Sequence, residues 1–412
     1  VLSRRGIAAT KIKNNHRPAE RKMHMNPFIY DIPTRVYFGE NQLGNLGQEL
    51  ARFGKRVLLA YGGGSIKKSG LYDRIVAEIK AAGLTLFELS GIEPNPRIGS
   101  VSAGAEICKK EQIDVLLAVG GGSVLDCAKF IGAATFYDGD AWDILKGEVD
   151  VTRCLPLVTV LTLAATGSEM DTSGVISNLE TKEKLGMGFD CMRPKVSFLD
   201  PTNTYTVSKY QTACGTADML SHLFEVYFNL DQDLQLLDGV METLMKTAMK
   251  YGPIAMQQPD HYEARANLMW TGSWAINGFV NGGKRQAWSC HPMEHELSAF
   301  YDITHGHGLA ILTPRWMQYV LDETTAPKFY QYGVNVFGLD PALPPQVVAE
   351  DAINKTAHFL YDTLGLPDTL GAVGIDNKNF ALMAQKACNG GVLHGFKPLA
   401  PRDVENIYNM CL

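Results

Sequence analysis

The sequence predicts an α/β domain built on a parallel sheet, followed by an all-α domain. Three observations carry this. From Arg35 to about Thr162, short apolar runs alternate with longer segments of helical period, the pattern of successive βα units. Two of those apolar runs end in the same glycine-rich turn, Gly62-Gly63-Gly64-Ser65 and Gly120-Gly121-Gly122-Ser123. Beyond about Lys209 the β-branched runs give way to long stretches with helical spacing.

Taken in order, 56–61 reads as a buried strand, and after its glycine turn the spacing predicts a helix over 71–82. A strand over 84–89 and a helix over 98–111 follow. The run 114–119 repeats the first pattern, with a helix through Ala134 after its turn, and 155–162 and 195–199 supply further strands. Asp200-Pro201 is a proline-bounded turn that ends this series. Helical spacing then covers 213–229, 235–251, 262–276 and 345–364. The chain thus divides into a Rossmann-like domain over 25–204 and an α-helical domain over 205–412. Residues 1–24 differ from both: Arg4, Arg5, Lys11, Lys13, Arg17, Arg21 and Lys22 face a single acid, Glu20. Poor in serine and weakly amphipathic, they read as an appended basic extension ahead of a natural start near Met25 rather than as a transit peptide.

Composition excludes several classes. With 412 residues, 46% of them hydrophobic and 20% charged, the chain has the make-up of a two-domain globular protein. A net charge of -6 offers no basic field to a nucleic acid. No apolar run approaches the roughly 18 to 20 residues of a membrane span. The eight cysteines are dispersed without a Cys-x-x-Cys pair, which fits reduced thiols in the cytoplasm.

Glycines between a buried strand and a helix let backbone N–H groups approach a phosphate, and the helix N-terminus adds partial positive charge. Neither turn is the G-x-G-x-x-G fingerprint, but two such turns at strand ends point to a dinucleotide. The first reads Tyr61-Gly-Gly-Gly-Ser-Ile-Lys-Lys68, with two lysines and no acid to hold a ribose 2′-hydroxyl. That favours NADP(H) over NAD(H).

In the second half, His291 and His295 are four apart, and His305 follows at a turn before Gly306. Upstream, Asp218 and His222 form another i, i+4 pair on one helical face. A carboxylate and imidazoles gathered in this way suit a divalent transition metal such as Fe(II) or Zn(II), with a position left for a substrate oxygen.

These residues, in the order Tyr61-Gly-Gly-Gly-Ser-Ile-Lys-Lys, Gly120-Gly-Gly-Ser-Val-Leu-Asp, Ala165-Thr-Gly-Ser-Glu169, Asp218-x-x-x-His222 and His291-x-x-x-His295 with His305, resemble the iron-containing (group III) alcohol dehydrogenase family, in its NADPH-dependent butanol dehydrogenase and broad aldehyde reductase branch. The likeness runs from about Met25 to the C-terminus. It implies the fold shared with dehydroquinate synthase, metal ligands at Asp218, His222, His291 and His305, and an unliganded catalytic His295 beside them. It implies a cofactor cradle at Gly62, Gly63, Ser65, Gly120, Gly121, Gly122, Ser123, Thr162, Thr166, Lys184 and Tyr205. Fe(II) is then the expected metal, with Zn(II) the alternative, and a cytoplasmic homodimer acting on small primary alcohols and aldehydes such as butanol and butanal is the expected enzyme. Where the family often reads Pro-Thr-Thr-Ala-Gly-Thr-Gly-Ser-Glu, this chain reads Leu161-Thr-Leu-Ala-Ala-Thr-Gly-Ser-Glu169, losing a hydroxyl at Leu163 and a glycine at Ala165.

The rivals are a dehydroquinate synthase-like lyase, a glycerol dehydrogenase-like enzyme of the same fold, and a nucleotide-binding redox sensor. A lyase of that kind needs a dense Lys/Arg pocket. The aromatic residues Trp270, Trp274, Phe279, Trp288 and Phe300 suit instead an apolar pocket for aldehydes, with helix-packing core an equal alternative for each.

Overall fold

The computed structural model describes residues 25–231, 233–284 and 288–412; the appended extension expected over 1–24 lies outside them. Six strands, β1 (Arg35–Phe38), β2 (Arg56–Tyr61), β3 (Thr85–Leu89), β4 (Val115–Gly120), β5 (Leu157–Leu161) and β8 (Val196–Leu199), form one sheet in the order β1-β8-β5-β4-β2-β3. Every pairing in it is parallel.

Alternation along the strands sorts the core into two faces. Val57, Leu59 and Tyr61 of β2, with Val115, Leu117 and Val119 of β4, pack under the helix Leu71–Ala81. Leu58 and Ala60, with Leu116 and Ala118, pack under the helices Ile98–Lys110 and Gly122–Ala134. A sheet covered on both faces explains why these strands read as continuous apolar runs. From β2 the chain steps outward to β3, then returns across β2 to β4, so the strand order reverses between β2 and β4. Ligands of open α/β sheets bind in the crevice at such a reversal. Both glycine turns open there, side by side, because Leu59 pairs with Leu117 and Tyr61 with Val119.

The remaining strands, β6 (Ser173–Asn178) and β7 (Glu183–Gly188), make an antiparallel hairpin outside the main sheet that sequence reading missed. Glycines and polar residues break its apolar alternation, so no strand period is visible. After β8 a short turn, Pro201–Thr204, leads into the helix Lys209–Tyr227, whose N-cap Ser208 accepts a bond from the Gln211 N–H. From Thr212 onward this helix is buried on every side, making it the axis of the second half. The helices Gln235–Gln257, Tyr262–Ile276, Cys290–Tyr301, His305–Val320, Ala326–Phe337 and Pro345–His358 surround it. The expected helix over 345–364 ends in a π-turn at Phe359–Thr363, and 235–257 runs six residues past its expected end despite Pro253. Among the described residues no helix is long and apolar enough to cross a membrane.

Candidate metal and cofactor site

Asp218 and His222 lie one turn apart on the axial helix, which brings both to the cleft beneath the sheet edge. His291 comes from the helix Cys290–Tyr301, and His305 is the first residue of the helix His305–Val320 rather than part of a turn. Glycine makes this convergence possible: a Cβ on Gly306 would overlap the Cys214 carbonyl oxygen of the axial helix. Around Asp218 Oδ1 stand His222 Nε2 at 3.7 Å, His291 Nε2 at 3.9 Å and His305 Nε2 at 3.6 Å.

Asp218 Oδ1 and His291 Nε2 are buried and make no hydrogen bond, a costly arrangement unless a cation sits between them. Burial pushes the Asp218 carboxyl up to about 7, opposed by His291 and reinforced by Glu294. A carboxylate so placed needs a positive neighbour to stay ionised. Burial likewise pushes His222 and His305 well below the usual histidine range, leaving neutral imidazoles, the form that binds metal. The donor set therefore fits a divalent transition metal.

Two further carboxylates, missed in sequence reading, hold the imidazoles. Glu225 accepts from the Ser289 and His291 N–H groups at 2.7 and 2.8 Å, and its Oε1 lies 3.2 Å from His291 Nδ1. Glu294 contacts His305 Nδ1 and accepts from Lys184 Nζ at 3.2 Å. Such partners turn the opposite ring nitrogen toward the metal position. A signal existed for each: Glu225 stands three residues after His222, and Glu294 directly precedes His295.

A cleft runs from this cage to the glycine turns, formed by adjoining cavities of about 650 and 310 Å³. Gly62, Gly63, Ser65, Gly120, Gly121, Gly122, Ser123, Thr162 and Thr166 line it, and Asp218 and His305 close its far end. A Cβ on Gly122 would overlap Thr166 Oγ1, and one on Gly121 would come within 3.2 Å of Leu163 Cβ. Leu163 thus covers the second turn instead of offering a hydroxyl. Two residues expected in the cradle do not line these two cavities. Lys184 lies on β7, bonded to Glu294 and Ser298, on the metal side. Tyr205 lines neither cavity and lies in the neighbourhood of Glu40, Asp200, Asp260 and Tyr262. Asn203, Thr206 and Gln211 line the cleft on that side.

Beyond the cage a third cavity of about 560 Å³ is lined by His295, Lys184, Trp288, Asn95, Arg193, Asn277 and Asn281, among others. Asn277 Nδ2 and Asn281 Oδ1 are buried there without partners. The hairpin forms one wall: Asp126 accepts from the Val175 N–H, Lys129 pairs with Asp171, and Lys184 reaches across to Glu294. His295 lies beside His305, ring centroids 5.8 Å apart, and burial with Lys184 and His305 pushes it well below its usual range, so it is neutral near pH 7.

The apolar pocket expected from the aromatics is corrected. Only Trp288 of the five lines this cavity, with its ring edge-on to His291 at 4.7 Å. Trp270 and Trp274 pack on each other, with Phe38 and Phe279 completing an outer cluster. Phe300 lies under Lys182 and Lys386. Their spacing near the metal helices carried no information about which face meets the cleft.

Comparison with known proteins agrees with this geometry. Residues 33–201 match the family model "iron-containing alcohol dehydrogenase", and 212–412 match "Fe-containing alcohol dehydrogenase family, C-terminal". The chain is 52% identical to NADH-dependent butanol dehydrogenase A of Clostridium acetobutylicum, over 93% of this chain and 99% of that one. It is 35% identical to the NADPH-dependent aldehyde reductase YqhD of Escherichia coli, over 88% and 93% of the two chains. The crystal structure of NADH-dependent butanol dehydrogenase A from Thermotoga maritima superposes with a TM-score of 0.90 at 37% identity, covering 94% of this chain and 99% of that one. This chain belongs to the iron-containing alcohol dehydrogenase family, which makes it an alcohol dehydrogenase-class oxidoreductase and implies a metal and a nicotinamide cofactor.

Proposed function

We propose that the protein interconverts short and medium linear aldehydes, butanal among them, with their primary alcohols, using NADP(H) and one divalent metal held by Asp218, His222, His291 and His305. The observation that carries this reading is the convergence of one buried carboxylate and three imidazoles at the end of a glycine-lined cleft. Iron is the first choice from the family's name, and zinc suits the same donors.

When bound, the metal supplies a Lewis acid for a carbonyl oxygen and the dinucleotide supplies or accepts a hydride. The chain's own residues do the rest. Backbone N–H groups of the turns at 62–65 and 120–123 receive the phosphates. Glu225 and Glu294 fix the imidazole rings. His295, neutral and on the cavity wall, relays a proton between the substrate oxygen and solvent.

The NADP(H) preference rests on the missing acid in the first turn and on the open space around Gly63, where no side chain stands against a 2′-phosphate. The lysines add less than their position in the sequence promises. Lys67 sits over the rings of Tyr61 and Tyr72, and neither Lys67 nor Lys68 lines the cleft. The relatives' names divide on this point, NADH-dependent for the Clostridium protein and NADPH-dependent for YqhD.

The experiment is a panel of ethanal, butanal and hexanal with NADPH and NADH on protein of measured metal content. Net turnover of simple aldehydes, faster with NADPH, supports the proposal. Selectivity for phosphorylated cyclic substrates without net cofactor turnover overturns it in favour of the lyase.

A further inference from the structure

Cys154 and Cys191 form a thiol pair that the proposed reaction does not use. Cys154 stands in the connection leading into β5, and Cys191 in the short turn Asp190–Met192 between the hairpin and β8. Thirty-seven positions apart in the chain, their Sγ atoms are 2.8 Å apart, closer than a resting contact between unbonded sulfurs and approaching the about 2.05 Å of a disulfide. Both are partly exposed, whereas Cys108, Cys127, Cys214, Cys290, Cys388 and Cys411 are all buried. A small oxidant therefore reaches this pair before the others, and the sulfurs need only a sub-ångström approach to join. We propose that Cys154 and Cys191 are an oxidative modification site that closes to an intramolecular disulfide in the folded protein, with a two-electron acceptor of the peroxide or diazene class as co-reactant.

With a diazene, one thiolate adds to the N=N bond, the neighbouring thiolate attacks the sulfur of that adduct, and S–S forms as S–N breaks. The protein loses two electrons and two protons, which end on the hydrazine product. A dithiol reductant reverses the reaction by thiol exchange. The bond staples the entry of β5 to the turn after the hairpin. Arg193, two residues beyond Cys191, lines the metal-side cavity and donates to the Met170 carbonyl. The staple thus reinforces one wall of the site without reshaping it.

The test treats the metal-loaded full-length protein with diamide, then counts thiols after denaturation and maps the linked peptides. Loss of two of the eight thiols, a Cys154–Cys191 peptide, a reversible Tm rise of about 2–4 °C and a kcat/KM changed by less than about twofold are expected. The Cys154→Ser protein, or Cys191→Ser if the first folds poorly, should lose no thiol and show no Tm shift. An unchanged thiol count, oxidation at other cysteines, or covalent dimers on a non-reducing gel would overturn the assignment.

Discussion

The two ends of the cleft are built by opposite means. At the sheet edge, the glycine turns make a binding surface by leaving side chains out: a Cβ on Gly120 would run into Val124, and one on Gly122 into Thr166. In the helical half, the cage is made by side chains converging from three helices, with His291 held by Glu225 and His305 by Glu294. Glycine serves both regions, but at Gly306 it makes room for a neighbouring helix, not for a ligand. The first region should therefore be damaged by adding atoms, the second by deleting charge.

The largest effect should come from deletion in the cage. Asp218→Ala and His291→Ala each remove a donor, and loss of the metal's several kcal/mol of transition-state stabilisation lowers kcat/KM by about 10³-fold or more. Elemental analysis and steady-state kinetics check this together. His295→Ala comes next, with full metal content and a kcat reduced about 10- to 1000-fold, because the relay is one contributor beside the metal. Metal lost in that variant would make His295 a ligand.

At the other end, a Cβ on Gly63 would meet no atom within 4 Å, so Gly63→Asp should fold normally. Its carboxylate opposes a 2′-phosphate by about 1 to 3 kcal/mol, shifting selectivity toward NADH about 5- to 150-fold. Equal efficiency of the wild-type protein with both cofactors would break this reading of the turn. Glu225→Gln keeps the shape but weakens the grip on His291, so metal affinity should fall about 10- to 100-fold in a chelator competition while the KM for the dinucleotide stays put.

The smallest effect sharpens the contrast most. Gly122→Ala should raise the dinucleotide KM about tenfold with metal content intact, whereas Gly306→Ala, pressing on backbone at Cys214, should cost about 1–3 kcal/mol of stability and loosen the metal. If the two variants exchanged these phenotypes, the division of labour along the cleft would be wrong.

What was legible in the sequence follows the same divide. Glycines after a buried strand and ligand-type residues at i, i+4 announce themselves by residue type at fixed offsets, so the turns and the cage residues stood out. Each strand and helix expected between 56 and 134 is present, with ends moved by at most a residue or two. What residue type did not reveal depends on direction across a helix or on contacts distant in sequence. The Trp270–Trp274–Phe279 group packs outward. Lys184 bonds to Glu294, 110 positions away. Tyr205 is not among the residues lining the cleft. The hairpin β6–β7 was invisible because its glycines suit close packing, with Gly174 against Asp126 and Gly186 near His295, at the expense of an apolar period.

The central claim, that one metal in the Asp218 cage is the working centre, is tested most directly by titration. Protein stripped with a chelator is titrated anaerobically with Fe(II), and in parallel with Zn(II), while butanal-dependent oxidation of NADPH is followed. Activity should be absent at the start, rise linearly and break at one equivalent per chain, with no recovery in Asp218→Ala. Full activity in the metal-free protein would contradict the account, as would a break at two equivalents, which would place a second ion at Glu294, His295 and His305, a further cluster of donor atoms within 4.8 Å of one another among the described residues, which takes His305 from the cage.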